Sequence, residues 1–299
     1  MIHYGNLRKM TSELHEEVHY KIPLYDKISF SESISLNHLI GSTINISYSG
    51  IKNCVVSGKK INKTYGDGMS YDAFKSSPLA VESIIRPELS RIHEGVALRD
   101  YDWEIAHHMQ PHIVYLSKTA GIKVGVTRET QIPYRWIDQG AVEALILAKT
   151  PYRQAAGLIE VALKKHISDK TNWRKMLQNN LSESSLIEVK NELTNHLEDD
   201  LKKYVTRDSE INKVNFPVIK YPTKVKSVTL DKAPQIEEKL VGIKGQYLLF
   251  DNDTVFNVRR HAGYLIQFSF KIYFFSILRP FQHPIQSHVY NQFEVFFDL

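Results

Sequence analysis

The chain has one cysteine, Cys54, in 299 residues. A single thiol excludes an internal disulfide and any metal centre built from clustered thiolates. No uncharged run approaches the roughly twenty residues that span a membrane. The opening residues, MIHYGNLRKMTSELHEE, contain no apolar h-region of a secretion signal. A cytoplasmic protein without a membrane partner is therefore expected. No tandem repeat signals a solenoid or propeller. The formal net charge is only +5, too small for the whole-chain balance to choose a partner. A 42% hydrophobic and 24% charged composition belongs to an ordinary folded protein. A chain this long can bury a core without crosslinks, as one large domain or as two to three small ones.

What is present is unevenly placed. From His112 to Leu177 eleven Lys/Arg stand against five acids, a net +6, which leaves −1 on the remaining residues. Local positive charge is the footprint of a phosphate-binding surface. A lysine-rich solvated face with no partner would give the same count.

Six segments follow from the texture of the chain. Residues 1–50 are β-rich, with ISLNHLIGSTINISY (34–48) reading as short strands around Gly41. Residues 51–110 are turn-rich and basic, ending in one or two short helices. Residues 111–178 read strand, strand, helix, strand, helix. The first of these helices opens near Pro133, the second at Thr150-Pro151 as N-cap and first helical residue, with VEALILA as a buried strand between them. Residues 182–204 form an amphipathic helix with Leu186, Val189, Leu193, Leu197 and Leu201 on one face. Residues 205–268 return to strands, with a hairpin turn at Asp251–Asp253 and a texture like that of the N-terminal strands, so the two ends are expected to pack as one β unit. The tail, 269–299, is aromatic and shows no sustained period. The expected fold class is α/β (α+β).

The central segment carries the chemistry. Phosphodiester cleavage needs an activated water, a cation to stabilise developing charge, and usually a carboxylate-held metal. Adjacent strands VYL and IKVGV can bring Tyr115 and Lys123 to one sheet surface, and the helix at Pro133 can add Arg135. The next helix offers Glu160, flanked at helical spacing by Arg153, Ala156, Gly157 and Lys164. Small residues beside a carboxylate leave room for a ligand or for another backbone. Lys118, Lys123, Arg128, Arg153 and Lys164 are the candidate nucleic-acid contacts. Each has an ordinary counterpart: Tyr115 as a packing residue, Arg135 with Asp138 as a local helix pair, Glu160 with Lys164 as a solvated i,i+4 pair.

The order VYL, then KVG nine residues later, then Arg on a helix, then Glu on a helix resembles the GIY-YIG nuclease superfamily. Longer stretches, QPHIVYLSKTAGIKVGVTRETQIPYRWIDQGA, AGLIEVALKKHISDKTNWRKML and SIIRPELSRIHEG, resemble DUF2797, a family of bacterial proteins of unknown function, from GNLRKM to about GYLIQF. The superfamily resemblance implies that Tyr115 and Gly125 match the two strand motifs, that Arg135 contacts the scissile phosphate, and that Glu160 holds Mg²⁺ or Mn²⁺. The second motif's tyrosine is Lys123 here. An ordinary lysine is protonated at neutral pH, so it can anchor phosphate but serves poorly as a base. The family resemblance also implies paired cysteines around Cys54, Ser57, Ser70 and Ala73. Only Cys54 remains, which makes 51–110 a degenerate zinc-ribbon-like module in which no zinc is expected, although His93, His107 and His108 lie nearby in sequence.

Three readings follow. In the first, the protein binds DNA or RNA and cleaves it with Mg²⁺ or Mn²⁺, Tyr115 assisting water activation. In the second it is a non-catalytic nucleic-acid-binding module. In the third it is an interaction protein without nucleic acid that uses its aromatic C-terminus.

Overall fold

The computed structural model describes residues 2–167, 172–207 and 209–271; most of the aromatic tail lies outside the described residues. The chain opens with β1 (Ile2–Leu7), β2 (Thr11–Leu14), β3 (Val18–Asp26), β4 (Ser29–Ser35), β5 (Thr43–Asn53) and β6 (Lys60–Ile61). Short 3-10 turns and two helices follow, α1 (Tyr71–Ser76) and α2 (Tyr101–His108). The central segment then runs β7 (His112–Lys118), β8 (Ile122–Arg128), α3 (Tyr134–Asp138), β9 (Glu143–Thr150) and α4 (Arg153–Lys164). After it come α5 (Trp173–Leu177), α6 (Leu186–Asn195), α7 (Asp199–Lys202) and β10 (Asn212–Lys213). The described residues end with β11 (Lys226–Val228), β12 (Gln235–Lys244), β13 (Tyr247–Phe250), β14 (Thr254–Asn257) and β15 (Tyr264–Lys271). The fold is α+β, and no helix among the described residues is long and apolar enough to cross a membrane.

Both ends of the chain build one sheet, ordered β11-β14-β13-β12-β5-β15-β1-β3-β2, with β4 on β3 and β6 on β5. N-terminal β5 lies between C-terminal β12 and β15, and β15 also pairs with β1. Its core takes side chains from both ends, among them Leu7, Ile22, Ile44, Phe256 and Phe268. The central segment builds a second sheet, β10-β9-β7-β8, in which β7 pairs antiparallel with both β8 and β9. Strand alternation gives it two apolar faces. Val114 and Leu116 pack against Ala156, Ile159 and Leu163 of α4, while Ile113 and Tyr115 pack against Trp136 of α3.

Three local expectations need correction. Pro133 caps α3 instead of starting it. Thr150 remains in β9, its hydroxyl donating to the carbonyls of His112 and Tyr152 at 3.3 and 3.0 Å, so α4 begins at Arg153 after an extended Tyr152. The helix expected over 182–204 is two helices, α6 and α7, broken at His196–Glu198. Three consecutive acids, Glu198 to Asp200, favour a helix N-terminus over an interior, and α7 starts on them. Leu186, Leu193 and Leu197 still reach one core across the break.

The two sheets meet at the end of α3. Asp138 accepts from Lys9 Nζ at 3.0 Å and from Gln246 Nε2 at 2.8 Å. Gln246 also bridges both backbone groups of Met10. This polar clamp carries the large sheet, including the turn at Arg259–His261, to the edge of the small one.

Candidate functional site

β8 is an edge strand, and a two-lobed cleft runs along it. The smaller lobe, about 320 Å³, is lined by Lys123, Gly125, Arg135, Gln139, Glu160, Lys164 and Arg259, with Ile84, Ile85 and Pro87 as an apolar wall. The larger, about 430 Å³, takes Lys9, Arg128 and Arg153 together with Trp103 and His107. Ile84, Val126, Arg135 and Arg259 line both lobes and join them. Arg135 arrives from the helix on one face of the small sheet and Glu160 from the helix on the other. They meet at β8 because, among the described residues, that edge carries no further strand.

Tyr115 and Gly125 are cross-strand partners. A Cβ on Gly125 would lie 2.6 Å from both Cζ and Oη of Tyr115, so only glycine lets the phenol lie across β8 toward the cleft. Tyr115 is 0% exposed, and among the described residues its hydroxyl meets no hydrogen-bond partner of good geometry. Burial raises its pKa above the usual phenol range against the opposing pull of the nearby Arg135 guanidinium, with a smaller lowering contribution from Gln139. The hydroxyl thus stays protonated at neutral pH and is suited to donating a hydrogen bond, less to taking a proton. Gln139 Oε1, also buried and without a partner among the described residues, is a second polar atom at this end of the cleft.

Glu160 is 7% exposed and pairs with Lys164 at 3.3 Å. The expected i,i+4 pair forms, on a cleft wall. Asp138 does not provide the local helix partner considered for Arg135: its carboxylate is taken by Lys9 and Gln246, and no ion pair holds Arg135 among the described residues. The room left by the small residues of α4 is filled by backbone. A Cβ on Gly157 would lie 2.5 Å from the Pro87 carbonyl carbon, so the 3-10 turn Pro87–Leu89 lies directly on the helix and supplies the cleft wall.

Of the expected nucleic-acid contacts, Lys123 and Lys164 line the smaller lobe and Arg128 and Arg153 the larger. Arg153 is 8% exposed and donates to Ser83 O at 2.6 Å and Ile84 O at 2.8 Å, so it also ties the wall to α4. Burial lowers its pKa to about 10, with Glu160 opposing, and it remains charged at neutral pH. Lys118 is not brought into the cleft. It stands at the other end of β7 and meets Glu143 on β9 at 2.8 Å.

Arg259, Gln139, Lys9 and Trp103 are not indicated by the sequence pattern, and His107 stands out there only as a histidine near the missing cysteines. Arg259 lies in the C-terminal β unit and is held bidentately by Asp67, with Nε–Oδ1 at 3.0 Å and Nη2–Oδ2 at 2.6 Å. The VRRH stretch shows two adjacent arginines, but no periodicity says which sheet edge they meet. Deep in the larger lobe, His108 is brought to a pKa of about 3 by burial and then by the Arg153 charge, and so stays neutral.

A family model described as "Protein of unknown function (DUF2797)" matches residues 41–266. The first forty residues, which the resemblance had included from GNLRKM onward, lie outside the matched span. No curated protein and no solved structure matches the chain.

Proposed function

Since this chain belongs to the DUF2797 family, whose description carries no activity, we propose its role from the cleft: it binds nucleic acid through the phosphate backbone along the edge of β8. The observation that carries this is the convergence of Lys123, Arg135, Lys164 and Arg259 on one lobe, with Arg128 and Arg153 on the lobe beside it. These cations come from four separate stretches of chain, which a solvated lysine-rich face does not require. Arg forks suit phosphate geometry, and Lys123 supplies a compact charge. From Lys123 to Arg128 the strand edge extends about 17 Å at ~3.3 Å per residue, enough to follow several phosphates of one strand.

Fluorescence anisotropy with labelled DNA and RNA, titrated over salt, tests the reading. Lys123→Ala and Arg135→Ala should each weaken binding across sequences and flatten the slope of log K against log salt by about one. Lys118→Ala, outside the cleft, should leave the slope unchanged. A slope unmoved by the first two variants would refute this binding surface.

Glu160 lines the smaller lobe, and its charge acts on the phenol of Tyr115, buried beneath Gly125; this favours a second reading, metal-dependent phosphodiester hydrolysis. One carboxylate among several cations holds a free divalent ion poorly. Mg²⁺ is, however, commonly held by one or two carboxylates together with substrate phosphates and water, and on those terms Glu160 fits it. The bound ion would supply Lewis-acid polarisation of the phosphoryl group. The chain's own part is Arg135 stabilising charge on the phosphate and Tyr115 donating a hydrogen bond from beneath. Glu160→Gln should abolish Mg²⁺- or Mn²⁺-dependent cleavage while leaving affinity nearly intact. Equal cleavage by both proteins would assign the activity elsewhere.

A further inference from the structure

The larger lobe contains something phosphate binding does not need. Trp103 is half-buried there, with the His107 ring stacked on it at 4.0 Å and 10°, and the His108 ring nearly perpendicular to it at 5.3 Å and 85°. His107 is itself fixed, its Nδ1 donating to the Trp103 carbonyl at 2.7 Å. His108 is kept neutral by burial, so no imidazolium forms beside the indole near neutral pH. Leu79 and Ile84, 52% and 40% exposed, line the same lobe, as do Arg128 and Gln131. One lobe thus combines a stacked aromatic pair, aliphatic side chains and hydrogen-bond donors, with the arginines of the proposed phosphate site among its lining.

We propose that this lobe receives one unpaired base, and that the ligand class is therefore single-stranded or locally unpaired polynucleotide. The inference rests on the phosphate-binding reading above. Aromatic side chains stack bases without regard to sequence because every base has a π-face, and a base within a duplex is already stacked and paired on both sides. The lobe's volume of about 430 Å³ lies within the ~300–1,000 Å³ range of small-ligand sites. Its junction with the smaller lobe through Arg135 and Arg259 lets one nucleotide place its base on Trp103 while a neighbouring phosphate meets the arginines.

Anisotropy with three labelled ligands of equal length tests the proposal: a single strand, its duplex, and an abasic strand with the same phosphates. The full chain should bind the single strand about tenfold or more tighter than the abasic strand, and tighter than the duplex. Trp103→Ala should remove that advantage and leave abasic binding unchanged, while Trp103→Phe should keep most of it. Unchanged abasic affinity also shows that Trp103→Ala is folded. Salt-dependent binding that treats base-bearing and abasic strands alike, or that favours the duplex, would overturn the base site alone. If none of the three ligands binds, the phosphate-binding reading falls and this inference with it.

Discussion

Gly157→Ala offers a test in which two physical effects oppose each other. In an open helix interior, alanine stabilises by about 0.5–1 kcal/mol relative to glycine. At position 157 the new methyl would lie 2.5 Å from the Pro87 carbonyl carbon and 2.8 Å from Glu88 Cα, with the Glu88 nitrogen closer still. Those atoms are backbone, so no side-chain rotamer relieves the clash. The segment is also tied down, since Arg153 on the same helix donates to Ser83 O and Ile84 O at 2.6 and 2.8 Å. Overpacking costs about 1–3 kcal/mol; against fixed backbone the cost falls in the upper part of that range, about 2–3 kcal/mol, which outweighs the propensity gain and leaves a net loss of about 1–2.5 kcal/mol.

Urea unfolding gives the sign directly. Gly157→Ala should lower the midpoint, while Gly121→Ala, where no heavy atom of the described residues lies within 4 Å of the new methyl, should fall within about 0.5 kcal/mol of the parent. Because the displaced segment carries Ile84 and Pro87 of the cleft wall, nucleic-acid affinity of the folded Gly157→Ala protein should fall as well. A Gly157→Ala protein stabilised by the ordinary propensity increment would refute the claim that this backbone rests on the helix.

Acid should destabilise the protein through His108 and His112. Burial brings them to pKa values of about 3 and about 4, against ~6.5 unfolded, so the unfolded chain takes their protons first. Their neutral burial costs nothing above about pH 6.5, and stability falls as pH drops from there toward the folded values, by up to about 2 kcal/mol each at pH 5. His112→Asn should flatten the fall in chemical-denaturation midpoint between pH 6.5 and 5, and an unchanged fall would show that His112 is not the group responsible. Chelator-free protein should carry no stoichiometric zinc. Cys54 Sγ accepts the Ser70 backbone N–H at 3.2 Å, and the described residues include no group of three or more His, Cys, Asp or Glu able to hold a metal ion. Elemental analysis finding about one zinc per chain would refute this, since structural sites need about four ligands.

Local signals in the sequence were sufficient wherever neighbours in sequence are neighbours in space. The hairpin of β7 and β8 follows from alternation and a short turn, but its register does not: Tyr115 is paired across the strands with Gly125, and Lys123 with Ser117. The union of the two chain ends was legible only as a shared texture. Its register, with β5 between β12 and β15, depends on which apolar faces find each other. The break between α6 and α7 was concealed because Leu186, Leu193 and Leu197 keep helical spacing across it. The deciding signal was the acidic run Glu198–Asp200, which apolar periodicity does not register.

The cleft divides the same way. Lys123, Arg135, Glu160 and Lys164 belong to one supersecondary unit, and pattern alone named them. Arg259 and Trp103 reach the same space through tertiary contacts: the clamp of Lys9, Asp138 and Gln246 brings up the large sheet, and Arg153 secures the segment before α2. Gly157 marks where sequence reasoning reaches its limit. A small residue near a carboxylate signals that something approaches closely, and the structure identifies it as the chain's own backbone at Pro87–Glu88. That backbone turns a flat helix face into one wall of a cleft. The cations on β8, α3 and α4 thereby face a bounded groove, and the proposed strand-tracking role rests on this confinement more than on the local charge of +6.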